Sequence, residues 1–292
     1  TSPVSFHVRA LQTNYVLNGA GDQTQAPDLP TASTVTQWYF LAGVDVALQK
    51  PIPVIAALGD SITDGDQLAA AEPVDLNDRY TDFLAERILN PARGGAGNRL
   101  GALAATLNLG ISGGQATDTL IGENALARLD RDVLTQSGVT HLIFLEGIND
   151  IGLPTFLNIL DSLGIFDPAG LEGLFGRPFP PIEVAQIILV HQQIVERARS
   201  HGITTVGATL PPAGNSLPGY SGPPAEDKRQ ALNHWIRNSG VYDLVVDFDA
   251  VLRDPSDPTL MQGGLTADGL HPNSAGYQAM ADEVFRVLFP AP

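Results

Sequence analysis

Five short apolar segments, separated by stretches with helical periodicity, run from residue 54 towards the end of the chain. The predicted strands are Val54–Leu58, Ala104–Leu109, His141–Leu145, Ile203–Leu210 and Leu244–Phe248. Apolar residues make up most of these segments, which is typical of strands that are buried on both faces. Because helices fill the connections, neighbouring strands are expected to be parallel. The pattern predicts a three-layer α/β/α fold with a five-stranded parallel sheet.

The connections between these strands carry the apolar periodicity of helices. The first predicted helix carries Tyr80, Phe83, Leu84, Ile88 and Leu89, and the others cover about Asp118–Leu134, Glu183–Ser200, Ala225–Asn238 and Ser274–Leu288. One connection, residues 151–181, is longer and rich in apolar side chains. Connections of this length are usually lids or binding loops. This apolar insertion therefore predicts a lid or the wall of an acyl-chain pocket, with an additional helix buried against the core as the alternative.

Residues 1–50 differ in texture from the rest of the chain. Alternating stretches such as Val4–Val8 and Thr34–Leu41 predict β-strands, and turns rich in Gly, Asp and Pro separate them. Two or three strands cannot bury a core alone. We therefore divide the chain into a β-rich N-terminal segment at 1–50, packed on or preceding the main domain, and an α/β domain at 51–292.

Composition argues against several classes of partner. The formal net charge is −16, from 32 acidic and 16 basic residues, and such a surface repels nucleic-acid phosphates and anionic membranes. No apolar run reaches the roughly 18 to 20 residues of a membrane-spanning helix. The absence of cysteine excludes disulfides, thiolate catalysis and cysteine zinc sites. Because the chain starts at Thr1, we expect that it was processed or trimmed, and we expect a secreted or extracytoplasmic location.

Four polar motifs lie at the ends of predicted strands or before the last helix. They are Gly59–Gly65, Asn108–Gly114, Glu146–Asp150 and Asp268–His271. Ligands in open parallel sheets bind beyond the carboxyl ends of the strands, so these motifs are expected to meet. Ser61, His271 and Asp268 are the parts of a serine-nucleophile hydrolase. Taken singly, each motif is also compatible with an ordinary turn or a helix cap, for example with Ser61 or Ser274 as a cap residue.

The four motifs, in this order, resemble those of the GDSL family of esterases and lipases, also called SGNH hydrolases. The resemblance covers about residues 54–289 and implies the flavodoxin-like SGNH hydrolase fold. Residues 31–50 look like the end of the β-rich N-terminal domain that some bacterial members carry, most of which is absent here.

The resemblance also implies roles for particular residues. Ser61, Asp268 and His271 match the catalytic triad of the family, with Ser61 as the nucleophile. The oxyanion hole would comprise the N–H groups of Ser61 and Gly113 and the side-chain amide of Asn149. Gly110 is the alternative to Gly113, since the motif around it contains two suitable glycines.

The predicted function is hydrolysis of a small-molecule or carbohydrate ester through an acyl-serine, and the apolar insertion favours short to medium acyl or aryl esters. Alternatives are a carbohydrate acetylesterase or an acyltransferase on the same active-site plan, and, least favoured, a non-catalytic glycan-binding module. We expect no cofactor and no metal, because Asp60, Asp64 and Asp66 lack the ligand pattern of a calcium loop and no zinc-type cluster is present. The sequence indicates no particular oligomeric state.

Overall fold

The N-terminal part of the chain forms small antiparallel strand pairs. The computed structural model describes residues 6–19, 21–23, 25–28, 32–39, 43–67, 74–90, 103–165, 176 and 179–290. These residues fall into two compact units, of which the first comprises Thr1–Gln49 and Ala69–Asn77. Within it, β1 (Phe6–His7) pairs with β4 (Trp38–Tyr39), and β2 (Asn14–Val16) pairs with β3 (Ser33–Val35).

The strand predicted at Thr34–Leu41 is divided in the structure. Its two halves, β3 and β4, have different partners and are separated by a bend at residues 36–37. The ends of two predicted strands, residues 4–5 and 40–41, lie outside the described residues. The first unit also includes Ala69–Asn77. In this segment the Asp75 carboxylate accepts hydrogen bonds of 2.6 Å from the N–H and the hydroxyl of Thr13.

The second unit, Lys50–Leu68 and Asp78–Pro292, is built on one parallel sheet. Its strands are β5 (Val54–Gly59), β6 (Ala105–Gly110), β7 (Val139–Leu145), β8 (Thr204–Ala208) and β9 (Leu244–Val246), in the spatial order β6-β5-β7-β8-β9. The predicted five-stranded parallel sheet is confirmed. The register aligns Gly59 with Gly110 on one side and with Leu145 on the other. Three strands therefore end at one level, at the switch point between β5 and β7 where ligands bind in such sheets.

Helices flank this sheet. They are α1 (Ser61–Asp64), α2 (Tyr80–Leu89), α3 (Ala125–Leu129), α4 (Ile148–Ser162), α5 (Val184–Ser200), α6 (Pro223–Asn238), α7 (Phe248–Leu252) and α8 (Ser274–Leu288). Helix α3 continues as a π-helical turn, Asp130–Leu134. Helix α2 packs against α8, while α5 packs against α3 and α6. In the part of the chain that the structure describes, no helix is long and apolar enough to cross a membrane.

Two helices differ from the prediction. The helix expected from Asp118 starts at Ala125, because the Asn124 side chain caps it by accepting from the Ala127 N–H at 2.9 Å. The apolar insertion, 151–181, begins inside α4, whose first seven residues are buried. The insertion's described first part is thus a helix packed on the core; Phe166, Leu171, Leu174 and Phe175 lie outside the described residues.

Candidate active site

Ser61 is the first residue of a one-turn helix that directly follows the central strand β5. The turn starts at Asp60, whose Oδ1 accepts from the Ile62 N–H at 2.9 Å, and it ends at Gly65, which has a φ of 98°. Asp60 is therefore the cap, and the alternative in which Ser61 caps the helix is wrong. With capping done by Asp60, the Ser61 hydroxyl is free to bond elsewhere.

Ser61, His271 and Asp268 form one continuous chain of hydrogen bonds. The Ser61 Oγ lies 2.9 Å from the His271 Nε2, and the His271 Nδ1 lies 2.7 Å from an Asp268 carboxylate oxygen. Both partners in the first contact are buried, with Ser61 6% and His271 3% exposed. Residues 210 positions apart in sequence are thus brought together at hydrogen-bond distance. In this geometry the imidazole can take the hydroxyl proton while the carboxylate holds the other ring nitrogen.

The turn that carries Asp268 fixes the orientation of its carboxylate. The second carboxylate oxygen accepts from the backbone N–H groups of Leu270 and His271 at 2.9 and 2.8 Å. Burial alone would raise the pKa of Asp268, but the hydrogen bonds and charge of His271 and these backbone donors outweigh it and lower that pKa. Asp268 therefore stays ionised at neutral pH.

Thr266 and Asn273 support the same turn, and neither was selected from the sequence. The Thr266 hydroxyl donates to the His271 carbonyl at 2.7 Å and accepts from the Gly269 N–H at 3.0 Å. Asn273 caps helix α8 by accepting from the N–H groups at positions 275 and 276. The alternative in which Ser274 caps α8 is therefore wrong. The only signal in the sequence is the polar character of these residues next to Asp268–His271.

The surroundings of the three expected oxyanion donors, Ser61, Gly113 and Asn149, are partly defined by their contacts. The Asn149 amide donates to the Gly114 carbonyl at 2.9 Å, which places it beside the residue that follows Gly113. Gly114 itself packs near the turn that carries Ser61, since a Cβ at Gly114 would lie 3.7 Å from the Asp60 Cα. Among the described residues, the N–H groups of Ser61 and Gly113 have no hydrogen-bond partner. They are available to a developing negative charge.

The structure distinguishes between the two candidate glycines. Gly113 has a φ of 75°, a conformation that favours glycine. The Gly110 N–H is already engaged, because it donates to the Asn108 side chain at 3.0 Å. Gly110 has a different reason to lack a side chain, since a Cβ there would lie 2.1 Å from the Asp64 backbone nitrogen. The geometry thus favours Gly113 as the donor.

A group of fully buried charged side chains lies next to the nucleophile turn. Asp60 and Glu146 are 0% exposed, and Arg128 is 1% exposed. Arg128 donates to the carbonyls of Gly59 and Leu109 at 2.8 and 2.6 Å and makes a longer contact, 3.4 Å, with Glu146. Burial raises the pKa of Asp60 to about 7 and raises that of Glu146 well above its ordinary value. At least one of the two carboxyls therefore carries a proton at neutral pH.

Asp64 and Asp66, considered above as cation ligands, are engaged with Ser112. The Ser112 hydroxyl lies 3.1 Å from an Asp64 carboxylate oxygen and also contacts the carboxylate of Asp66. Within the ranges that the structure describes, no group of three or more His, Asp or Glu side chains is arranged to hold a metal ion. The carboxylates of Asp64 and Asp66 therefore connect the turn that carries Ser61 to the loop that contains Ser112.

Comparisons with known proteins agree with this geometry. The GDSL-like lipase/acylhydrolase family matches residues 57–279. The fold is shared with an aryl esterase from M. smegmatis (15% identity, TM-score 0.53, covering 80% of this chain and 96% of that one) and an acetyl-xylooligosaccharide esterase from Geobacillus (17%, 0.53, 84% and 98%). It is also shared with a GDSL-like lipase from Bacteroides thetaiotaomicron (16%, 0.51, 82% and 90%). No curated protein matches the chain in sequence. Since the family match covers most of its length, the chain belongs to the GDSL-like lipase/acylhydrolase family and is a carboxylic ester hydrolase.

Proposed function

We propose that this protein is a serine esterase that hydrolyses carboxylic esters with short to medium acyl chains, or aryl esters, through an acyl-serine intermediate. The observation that carries the proposal is the chain of hydrogen bonds from Ser61 through His271 to Asp268, at 2.9 and 2.7 Å. A serine is a weak nucleophile unless an oriented base removes its proton, and this chain supplies that base.

In the first half-reaction, the Ser61 oxygen attacks the ester carbonyl carbon while His271 takes the hydroxyl proton at Nε2. The carbonyl oxygen becomes negatively charged and is bound by the N–H groups of Ser61 and Gly113 and by the Asn149 amide. Asp268 stabilises the positively charged imidazole through Nδ1. His271 then gives the proton to the departing alcohol oxygen as the carbon–oxygen bond breaks. Removing one oxyanion donor typically costs about 3 to 4 kcal/mol of transition-state stabilisation.

In the second half-reaction, a water molecule replaces the alcohol. His271 removes a proton from the water as its oxygen attacks the acyl carbon, and the same donors bind the new oxyanion. Collapse of this intermediate breaks the bond to the Ser61 oxygen, which regains the proton from His271. The products are a carboxylic acid and free enzyme. An acyltransferase would follow the same steps with an alcohol in place of water.

Two observations support particular substrate classes. Helix α4 begins at the site, but its apolar residues Leu153 and Phe156 pack on or against the core. The similar fold of an aryl esterase supports an apolar acyl or aryl group. The similar fold of an acetyl-xylooligosaccharide esterase supports a carbohydrate acetylesterase as the second candidate.

The roles can be tested with a fluorophosphonate probe and two alanine variants. We expect one adduct, on Ser61, in the wild-type protein. Ser61→Ala and His271→Ala should each lower kcat on p-nitrophenyl acetate by about 10⁴-fold or more, because each removes a member of one catalytic unit. Ser200→Ala and His234→Ala, at exposed positions of α5 and α6, are matched controls with unchanged rates.

Folding of each variant is checked by circular dichroism. A properly folded Ser61→Ala protein that retains turnover, or a wild-type protein without an adduct on Ser61, would contradict the proposal; the latter result would favour a non-catalytic glycan-binding module. Relative kcat/KM for p-nitrophenyl esters of increasing chain length, for phenyl acetate and for acetylated xylo-oligosaccharides would then separate the two substrate classes.

A further inference from the structure

Tyr220 makes a hydrogen bond to the side chain that is expected to bind the oxyanion. Its hydroxyl donates to the Asn149 Oδ1 at 2.8 Å, and both side chains are buried, with Tyr220 7% and Asn149 4% exposed. On its other side, the Asn149 amide donates to the Gly114 carbonyl at 2.9 Å. The amide of Asn149 is therefore held at both ends.

Two glycines allow Tyr220 and the residue before it to pack closely against helix α4. The ring lies against helix α4 at Gly152, where a Cβ would come within 2.3 Å of a ring carbon. Asn149 and Gly152 are three residues apart on the helix and therefore share one face. The adjoining Gly219 also sits tightly on α4, since a Cβ there would lie 2.6 Å from the Phe156 nitrogen. The Tyr220 ring occupies the space that a side chain at position 152 would fill.

The two contacts fix which way the Asn149 amide faces. A flipped amide would point Oδ1 at the Gly114 carbonyl oxygen, placing two acceptors together, and would lose the bond from the Tyr220 hydroxyl. A donor on the amide oxygen also polarises the amide and strengthens the bonds that its N–H groups donate. Burial, followed by the charges of Asp60 and Asp150, raises the pKa of Tyr220, so the phenol keeps its proton.

We propose that Tyr220 is a positioning residue of the oxyanion hole: its hydroxyl holds and polarises the Asn149 amide, and so stabilises the transition state without contacting the substrate. The inference rests on the proposed function. It requires that Asn149 acts on the oxyanion, and it assigns the strength of that action in part to a residue on the loop between β8 and α6.

Tyr220→Phe tests the inference, because it removes the hydroxyl and keeps the ring on Gly152. We expect kcat on p-nitrophenyl acetate to fall about five- to tenfold, the equivalent of one buried hydrogen bond, with KM changed by less than about twofold. The rate of Ser61 labelling by the fluorophosphonate should fall in parallel, since its phosphoryl oxygen occupies the same donors. Tyr242→Phe is the matched control: it removes a buried phenol that bonds to His191, and it should leave kcat unchanged.

A double-mutant cycle with Asn149→Ala separates positioning from general loss of packing. Asn149→Ala alone should lower kcat about 10²- to 10³-fold. Adding Tyr220→Phe to it should change kcat by less than about twofold, because the amide on which the hydroxyl acts is gone. An equal effect of Tyr220→Phe in both backgrounds, or no effect in the wild-type background, would overturn the inference.

Gly152→Ala gives a second perturbation that does not alter Tyr220 itself. The added methyl group requires the ring to move, so kcat should again fall more than KM changes, although alanine favours the helix more than glycine does. Unchanged kcat in a folded Gly152→Ala variant would count against the inference. Failure of the proposed function is seen separately, as a wild-type protein whose Ser61 is not labelled.

Discussion

The buried carboxyl of Asp60 predicts that the protein loses stability as the pH rises. Its Oδ1 accepts one hydrogen bond, from the Ile62 N–H, whereas among the described residues Oδ2 is buried without a partner. Burial raises its pKa from 3.8 to about 7; the Ile62 N–H and the charges of His271 and Arg128 act in the opposite direction, and Asp150 adds to the increase. The folded state therefore binds a proton that the unfolded state has released between pH 4 and 7.

The sign and size of the effect follow from this difference. Because the folded protein binds more protons in this range, its free energy of unfolding falls as the pH increases from about 4 through about 7. Each unit of difference between the two pKa values corresponds to about 1.4 kcal/mol. Ionisation of Asp60 therefore lowers the free energy of unfolding by about 4 kcal/mol between pH 4 and pH 8. Glu146, whose pKa burial and the charge of Asp60 raise, acts in the same direction.

Asp60→Asn isolates this contribution, since the amide keeps an oxygen for the Ile62 N–H and has no charge to release. We expect the variant to be about as stable as wild type at pH 4 and more stable by about 4 kcal/mol at pH 8. Urea unfolding followed by far-ultraviolet circular dichroism at several pH values measures this, because the helices described above all lie in the second unit. Asp227→Asn, at an exposed position of α6, is the control. If the free energies of unfolding of wild type and Asp60→Asn changed with pH in parallel, the reasoning would be refuted.

Two further variants test the site and the core. Asp268→Asn should lower kcat about 10³- to 10⁴-fold with little change in KM, because an amide no longer favours the required tautomer of His271; a decrease below about tenfold in steady-state assays would contradict that role. Asp249→Ala should lower the free energy of unfolding by about 3 to 5 kcal/mol in urea titrations, because it removes the buried partner of Arg229 at 2.6 Å. The same change at Asp227, an exposed position of α6, should cost less than about 1 kcal/mol, and equal losses at both positions would contradict the argument.

The parallel sheet could be predicted because each of its strands has a recognisable local sequence pattern. Each central strand is a short apolar run that is followed by glycine or polar residues, and helical periodicity separates the runs. The edge strand β9 is shorter than predicted: it ends at Val246, and Asp247 caps helix α7 by accepting from the Ala250 N–H. A cap and the end of an apolar run look alike in sequence, since both are a polar residue beside apolar ones.

Helix α4 was not predicted at its observed position, for an identifiable reason. Its sequence contains Gly152 and Pro154, both unfavourable inside helices, and it starts within the motif Glu146–Asp150, which is also compatible with an ordinary turn. Tertiary contacts outweigh these local preferences. The glycine accommodates the Tyr220 ring, which comes from a loop 68 positions later in the sequence. Tyr220 was missed for the same reason, because no local pattern distinguishes it from the other five tyrosines.

The distribution of protons around Ser61 connects the fold to the reaction. During acyl transfer a negative charge develops at the oxyanion and a positive charge develops on His271, and a further anion near Ser61 would oppose the first of these. Asp268 is held ionised at the Nδ1 side of His271, away from the nucleophile. Asp60, which precedes Ser61, is instead kept protonated by burial up to a pH of about 7. The burial that makes the protein less stable at high pH thus also keeps Asp60, below a pH of about 7, from adding a negative charge beside Ser61.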